Sequence, residues 1–154
     1  MLQEGSRAPD INLPDSTGNH VSLRDFKGKK IVVYFYPKDN TPGCTQEACS
    51  FRDVYDEILE KGAVVLGISP DPQGSHQKFK GKHGLPFYLL SDTEHKAAEA
   101  YGAWGEKKMF GKIKMGIIRS TFIIDEDGMV KKVFPKVSPK EHGQEVLKIL
   151  SGEN

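Results

Sequence analysis

The chain has 154 residues, enough for one domain with a substantial core, expected to span residues 1–154. Hydrophobic residues make up 37% and charged residues 28%, with 22 Lys plus Arg against 21 Asp plus Glu, a balance that excludes a disordered chain and gives no electrostatic reason to expect nucleic acid or an anionic membrane as a partner. No apolar stretch reaches the ~18 residues of a membrane span, the first residues lack the basic-then-apolar pattern of a secretory signal, and two cysteines, Cys44 and Cys49, do not make a disulfide scaffold, so a cytoplasmic location is expected.

Residues 5–30 are rich in turn formers (Pro9, Pro14, Asp15-Ser16-Thr17-Gly18, Gly28) and predict a short hairpin or irregular lead-in. Ile31–Tyr36 is continuously apolar, β-branched and aromatic, as suits a strand covered on both faces. Pro37 ends it. Residues 42–61 read as a helix, with Ala48, Phe51, Tyr55, Ile58 and Leu59 on one stripe and Gly62 as the stop. Ala63–Ile68 is the next buried strand, 73–83 a weakly amphipathic helix, Phe87–Leu90 a short strand and 94–101 a short helix. The glycine- and lysine-rich stretch 102–118 reads as a solvated loop forming a wall of the site, with Trp104 packing. Thr121–Ile124 and Met129–Phe134 flank the hairpin signal Asp125-Glu126-Asp127-Gly128, and Pro139–Leu150 closes the chain as a helix. Strands alternating with helices, then a final hairpin and helix, predict an α/β fold of thioredoxin-like arrangement: a central mixed sheet flanked by helices, with an N-terminal hairpin extension.

The turn between the first core strand and the long helix carries the chemistry. Thr41 is placed as N-cap and Pro42 as the first helical residue, which puts Cys44 in the first turn. Backbone N–H groups there lack intrahelical partners, and the helix dipole favours an anion. Gly43, without a side chain, leaves room for a small substrate to approach the backbone. An ordinary thiol is ~3% ionised at pH 7, so full ionisation raises its reactive fraction at most roughly thirtyfold. One well-aimed donor to a developing charge is worth about 10²–10³ in rate. Thr41 and the free N–H groups of Gly43 and Cys44 are local donors; a distant cation is needed to complete the site.

Cys49 lies five residues on, roughly 8–9 Å away between Cα atoms in an intact helix. A disulfide needs about 7 Å or less. Either the two thiols never meet, or oxidation unwinds the first turns; Cys49, beside Ala48 on the apolar stripe, is equally well explained as a small hydrophobe. Two cysteines and the scattered His20, His76, His83, His95 and His142 give no metal-ligand cluster, and the histidines are read as surface or turn residues.

With these residues in view, the sequence resembles the peroxiredoxins. The matching motif is Pro37-x3-Thr41-x2-Cys44, and the longer string Tyr36–Cys49 with Phe51-Arg52-Asp53 resembles the bacterioferritin comigratory protein (peroxiredoxin Q) subfamily. Tyr101–Glu106 and Met115–Phe122 are similar to that subfamily as well, so the likeness runs from Ala8-Pro9 to the last helix. Asn40 and Ser50 depart from the residues common there, aspartate and glycine. The resemblance implies that Cys44 is the peroxidatic nucleophile, that Thr41 binds the peroxide through its hydroxyl, and that Pro37 shields the thiolate. It implies that Arg119 is the missing cation and that Glu47 organises the same polar network. On residue type alone, Arg119 is a strand-end charge and Glu47 a solvated first-turn acid. Cys49 is implied as the resolving cysteine of an intramolecular Cys44–Cys49 disulfide recycled by thioredoxin. The implied activity is thiol-dependent reduction of hydrogen peroxide and small organic hydroperoxides, without metal, haem or flavin, by a monomer. The competing expectation, a thioredoxin-type thiol–disulfide exchange protein, is opposed by the absence of Cys-x-x-Cys.

Overall fold

The computed structural model describes residues 1–152, so the last two residues of the expected domain lie outside it. A five-stranded sheet forms the centre. Its middle strand, β3 (Lys30–Phe35), pairs in parallel with β4 (Ala63–Ser69) and antiparallel with β8 (Ser120–Ile124). Beyond these lie β5 (Tyr88–Ser91), parallel to β4, and β9 (Val130–Phe134), antiparallel to β8, giving the order β5-β4-β3-β8-β9. The β3–α1–β4 crossover makes the sheet parallel on one side, and the β8–β9 hairpin makes it mixed.

Alternation along β3 divides the core into two layers. Val32 and Tyr34 face α1 (Pro42–Glu60), α2 (Gln73–His83) and α4 (His142–Leu150), packing with Phe51, Ile58, Phe79 and Val146. Val33 and Phe35 face the opposite layer, where α3 (Lys96–Tyr101) and the N-terminal segment contribute Ala98, Tyr101, Ile11 and Val21. The Tyr34 ring lies across Gly67 of the neighbouring strand, where any side chain would collide with it. The N-terminal hairpin is present, as β1 (Asn12–Pro14) paired with β2 (His20–Ser22).

Two expectations fail here. Residues 102–118 are not an irregular loop but a second hairpin, β6 (Trp104–Met109) with β7 (Lys112–Ile117). Its two-residue turn, Phe110-Gly111, has both residues at positive φ (54° and 76°), the geometry that matches strand twist. Phe110 is not a residue that announces such a turn. The histidines are not uniformly peripheral either: His76 and His142 are fully buried, each against partners distant in sequence.

Candidate active site

Strand β3 ends at the centre of the sheet, and residues 36–41 turn the chain into α1. Thr41 has the extended backbone of an N-cap and Pro42 opens the helix, but no side chain caps it. The Thr41 hydroxyl instead donates to the Lys38 carbonyl at 2.8 Å. Its hydrogen is committed, so its oxygen is left to accept. The first intrahelical bond runs from the Thr45 N–H to the Thr41 carbonyl, 2.9 Å. The N–H groups of Gly43 and Cys44 are thus without partners among the described residues, and both belong to the positive end of the helix.

Cys44 is 1% exposed. Its sulfur receives the Arg119 Nη2 donor at 3.1 Å, while Nη1 of the same guanidinium donates to Glu47 Oε1 at 2.6 Å. Arg119 stands immediately before β8, the antiparallel neighbour of β3, and the sheet carries it to the helix start 75 residues away. Its charge is held firmly: burial works against it, but Glu47 and Cys44 outweigh burial and raise its pKa. Gly43 serves this contact. A Cβ at Gly43 would lie 3.3 Å from Arg119 Nη2 and 3.8 Å from Pro139 Cγ, so the guanidinium stands where a side chain would otherwise project. The missing side chain admits the cation.

Glu47 is not a solvated acid. It is fully buried; burial raises its pKa to about 7, against the pull of Arg119. Its Oε2 has no partner among the described residues, and neither has the Tyr34 hydroxyl, whose pKa burial and then Glu47 push far up. Lys107, from the β6–β7 hairpin, borders the group: burial and then repulsion by Arg119 lower its pKa. His142, at the start of α4, stays neutral, its pKa lowered to about 4 by burial and by Arg119. It meets Thr121 Oγ1 at 2.7 Å. Cys49 is half-buried on the unbroken helix, and both thiols are free. Pro37 is half-buried at the strand's end, one residue before the carbonyl that orients Thr41.

The structure therefore brings together Cys44, Arg119, Glu47 and Gly43, with Thr41 and Pro37 on the adjoining turn. Cys49 lies five residues further along the unbroken helix, half-buried. Lys107 and His142 carried no local signal, since each depends on a packing partner remote in sequence.

A sulfur held against a guanidinium at a helix start is suited to nucleophilic attack. A model of the AhpC/TSA family matches residues 5–133 of this chain. Peroxiredoxin Bcp of Bacillus subtilis is 54% identical over 149 residues, covering 97% of this chain and 95% of that protein. The chain belongs to the AhpC/TSA family and is a peroxiredoxin. The Escherichia coli peroxiredoxin Bcp is 46% identical over 146 residues, 95% of this chain and 94% of that protein. Among solved structures, the Xanthomonas campestris bacterioferritin comigratory protein, described for its alkyl peroxide reduction activity, superposes with a TM-score of 0.90 at 37% identity, covering 97% of this chain and 98% of that one. The Xylella fastidiosa peroxiredoxin Q matches with a TM-score of 0.92 at 33% identity, over 99% of this chain and 97% of that one. The sheet flanked by helices is accordingly the thioredoxin-like fold of these peroxiredoxins, and the enzyme class is peroxidase.

Proposed function

We propose that this peroxiredoxin reduces hydrogen peroxide and small organic hydroperoxides through Cys44. The thiolate attacks the nearer peroxide oxygen, the O–O bond breaks, and sulfur is oxidised to sulfenic acid as the alkoxide or hydroxide leaves and takes a proton. The observation that carries the proposal is the 3.1 Å contact of Arg119 Nη2 with the Cys44 sulfur, at a helix start where two N–H groups have no partner among the described residues. Thr41 accepts the peroxide O–H, since its own hydrogen is engaged by Lys38. Gly43 and Cys44 N–H groups and the Arg119 fork hold the oxygens in line, and Pro37 keeps water off the sulfur. These donors aim at charge that develops in the transition state, where donors count most.

The sulfenic acid then condenses with the Cys49 thiol, releasing water and forming a Cys44–Cys49 disulfide. Because the intact helix holds the two Cα atoms roughly 8–9 Å apart, its first turns unwind for this step. A dithiol reductant of the thioredoxin type restores both thiols. The enzyme works as a cytoplasmic monomer and uses no metal, haem or flavin.

Thioredoxin-coupled NADPH consumption with peroxide tests the first step: Cys44→Ser abolishes it, and full activity in that variant refutes the assignment. Mass spectrometry of peroxide-treated protein tests the second. A loss of two hydrogens mapping to a Cys44–Cys49 bridge supports it; a stable sulfenic or sulfinic acid at Cys44 with Cys49 free refutes it. Peroxide-independent reduction of a model disulfide would instead indicate a thiol–disulfide exchange protein.

A further inference from the structure

Beneath the turn that carries Pro37 and Thr41 lies a buried polar cluster that the peroxide chemistry does not use. Its centre is Asp39, 4% exposed, in the middle of that turn. Asp39 Oδ1 accepts the Tyr36 hydroxyl at 2.6 Å, and Oδ2 accepts the Ser75 hydroxyl at 2.8 Å and meets His76 Nδ1 at 2.7 Å. The Asp39 N–H donates to Asp71 Oδ2 at 2.8 Å, and that oxygen also accepts the Ser69 hydroxyl at 2.6 Å. The far nitrogen of His76 lies 3.0 Å from the Leu90 carbonyl. Through one residue the turn is thus tied to the end of β4, the first turn of α2 and β5.

Asp39, Asp71 and His76 offer ligand atoms within 4.8 Å of one another, but each is already engaged in hydrogen bonds inside the cluster. A 2.7 Å separation of Asp39 from His76 is a hydrogen bond, too close for two ligands flanking a metal ion. The cluster is a clasp. What it clasps is decided by the chain on either side. Lys38, immediately before Asp39, supplies the carbonyl that takes the Thr41 hydroxyl hydrogen. Asn40, immediately after, is in the left-handed region at φ 63°, the sharp bend that delivers Thr41 to the helix start.

We propose that Asp39 is a positioning residue for peroxide: by anchoring the turn to His76 it fixes the Lys38 carbonyl, and thereby the direction in which the Thr41 oxygen accepts the substrate. The proposal rests on Cys44 as the peroxide-reacting thiol. Asp39 touches neither sulfur nor substrate and acts through Thr41 alone.

The test compares two reactions of Cys44. Oxidation by hydrogen peroxide needs an aligned O–O bond, whereas alkylation by iodoacetamide needs only the reactive sulfur. Asp39→Asn places an N–H donor where the Tyr36 or the Ser75 hydroxyl already donates. It is expected to slow peroxide oxidation about tenfold, a fraction of the roughly 10² that a misplacement of about 1 Å can cost, while alkylation stays within about twofold. His76→Gln gives the same split, and the double variant is no worse than the worse single one. Should Asp39→Asn fail to fold, Ser75→Ala and Tyr36→Phe, each removing one bond to Asp39, are expected to show the same selective loss at smaller size. Peroxide and alkylation rates that fall together, or a ratio unchanged in the folded variants, overturn the proposal. If the parent protein alkylates at Cys44 but does not react with peroxide, it is the peroxidase assignment that fails.

Discussion

Replacing Arg119 separates two contributions that act on the same sulfur. Through Nη2 at 3.1 Å the guanidinium favours the anion, and it also remains in place to bind charge that moves onto the peroxide oxygens. The first contribution has a ceiling: with an ordinary thiol ~3% ionised at pH 7, ionisation supplies at most roughly thirtyfold. The second is of the kind worth about 10²–10³. Arg119→Ala also strips Glu47 of the partner held at 2.6 Å. That carboxyl then keeps its proton to higher pH and adds no repulsion toward the sulfur. The expected loss in the second-order rate constant with hydrogen peroxide is therefore well above thirtyfold, about 10²–10⁴ in all. Stopped-flow or rapid-quench oxidation across pH gives the rate, and iodoacetamide alkylation over the same range gives the thiolate fraction. Dividing one by the other should leave a deficit of about a hundredfold or more that persists in alkali, where the thiol is fully ionised. Arg119→Lys offers one compact charge in place of a fork and serves Cys44 or Glu47 but not both, so it falls between. A loss no larger than the change in thiolate fraction, vanishing at high pH, would refute the argument that transition-state binding dominates.

Gly43→Ala should dissociate stability from activity. A methyl at 3.3 Å from Arg119 Nη2 pushes the guanidinium off by a few tenths of an ångström, so peroxide turnover falls about tenfold, while thermal unfolding shows a helix start no weaker than before. Gly143→Ala acts on the fold instead: its Cβ would overlap the Ser50 carbonyl, α4 must lift from α1, and urea denaturation should show a loss of about 1–3 kcal/mol. Glu47 and His142 give opposite pH dependences. Glu47 keeps its proton to about pH 7 in the folded chain against 4.5 for an ordinary glutamate, so its contribution is full below about 4.5 and is lost as pH rises to about 7. His142 stays neutral to about 4 against 6.5, so its contribution is present above about 6.5 and is lost as pH falls to about 4. The two slopes oppose each other over the shared window. Urea midpoints measured across it should therefore rise with pH in Glu47→Gln and fall with pH in His142→Gln, relative to the parent.

What the sequence shows plainly is what depends on neighbours in the chain. Ile31–Tyr36 and Ala63–Ile68 are apolar without interruption, and the Ala48–Phe51–Tyr55–Ile58 stripe repeats at helical spacing, so both strands and the helix between them are legible. Cys44 is legible for the same reason: proline and glycine before it mark the helix start. Arg119 is not. Its role is set by the pairing of β8 with β3, and only the likeness to a family motif points to it. At Gly43 the absent side chain is legible but the Arg119 guanidinium beside it is not, because a missing Cβ does not say what its neighbour is. His76 and His142 are buried by Asp39 and Thr121, 37 and 21 residues away, which no local pattern encodes. The β6–β7 hairpin was hidden by its composition: lysines and glycines mask the alternation, and Phe110 sits where asparagine or glycine would have signalled the turn.

Ser50, a departure from the family's usual glycine, finds its meaning in the same long-range contacts. Its hydroxyl donates to the Glu47 carbonyl at 2.7 Å and accepts the Gly143 N–H at 2.9 Å, so one side chain ties the second turn of α1 to the start of α4. Glu47 is held again, through its carboxylate, by Arg119. A Cys44–Cys49 bond requires the helix between them to open, and the Ser50–Glu47 link is among the interactions that opening breaks. Ser50→Ala removes that link from the closed helix without altering the sulfur. At about 1 kcal/mol for one hydrogen bond, the open form becomes roughly fivefold more accessible. Rapid-quench mass spectrometry should then show disulfide forming about fivefold faster after the same initial oxidation of Cys44, with less sulfinic acid at high peroxide. Closure at an unchanged or slower rate would mean that the helix opens without releasing Ser50 from Glu47, and that the resistance lies instead in the Glu47–Arg119 pair.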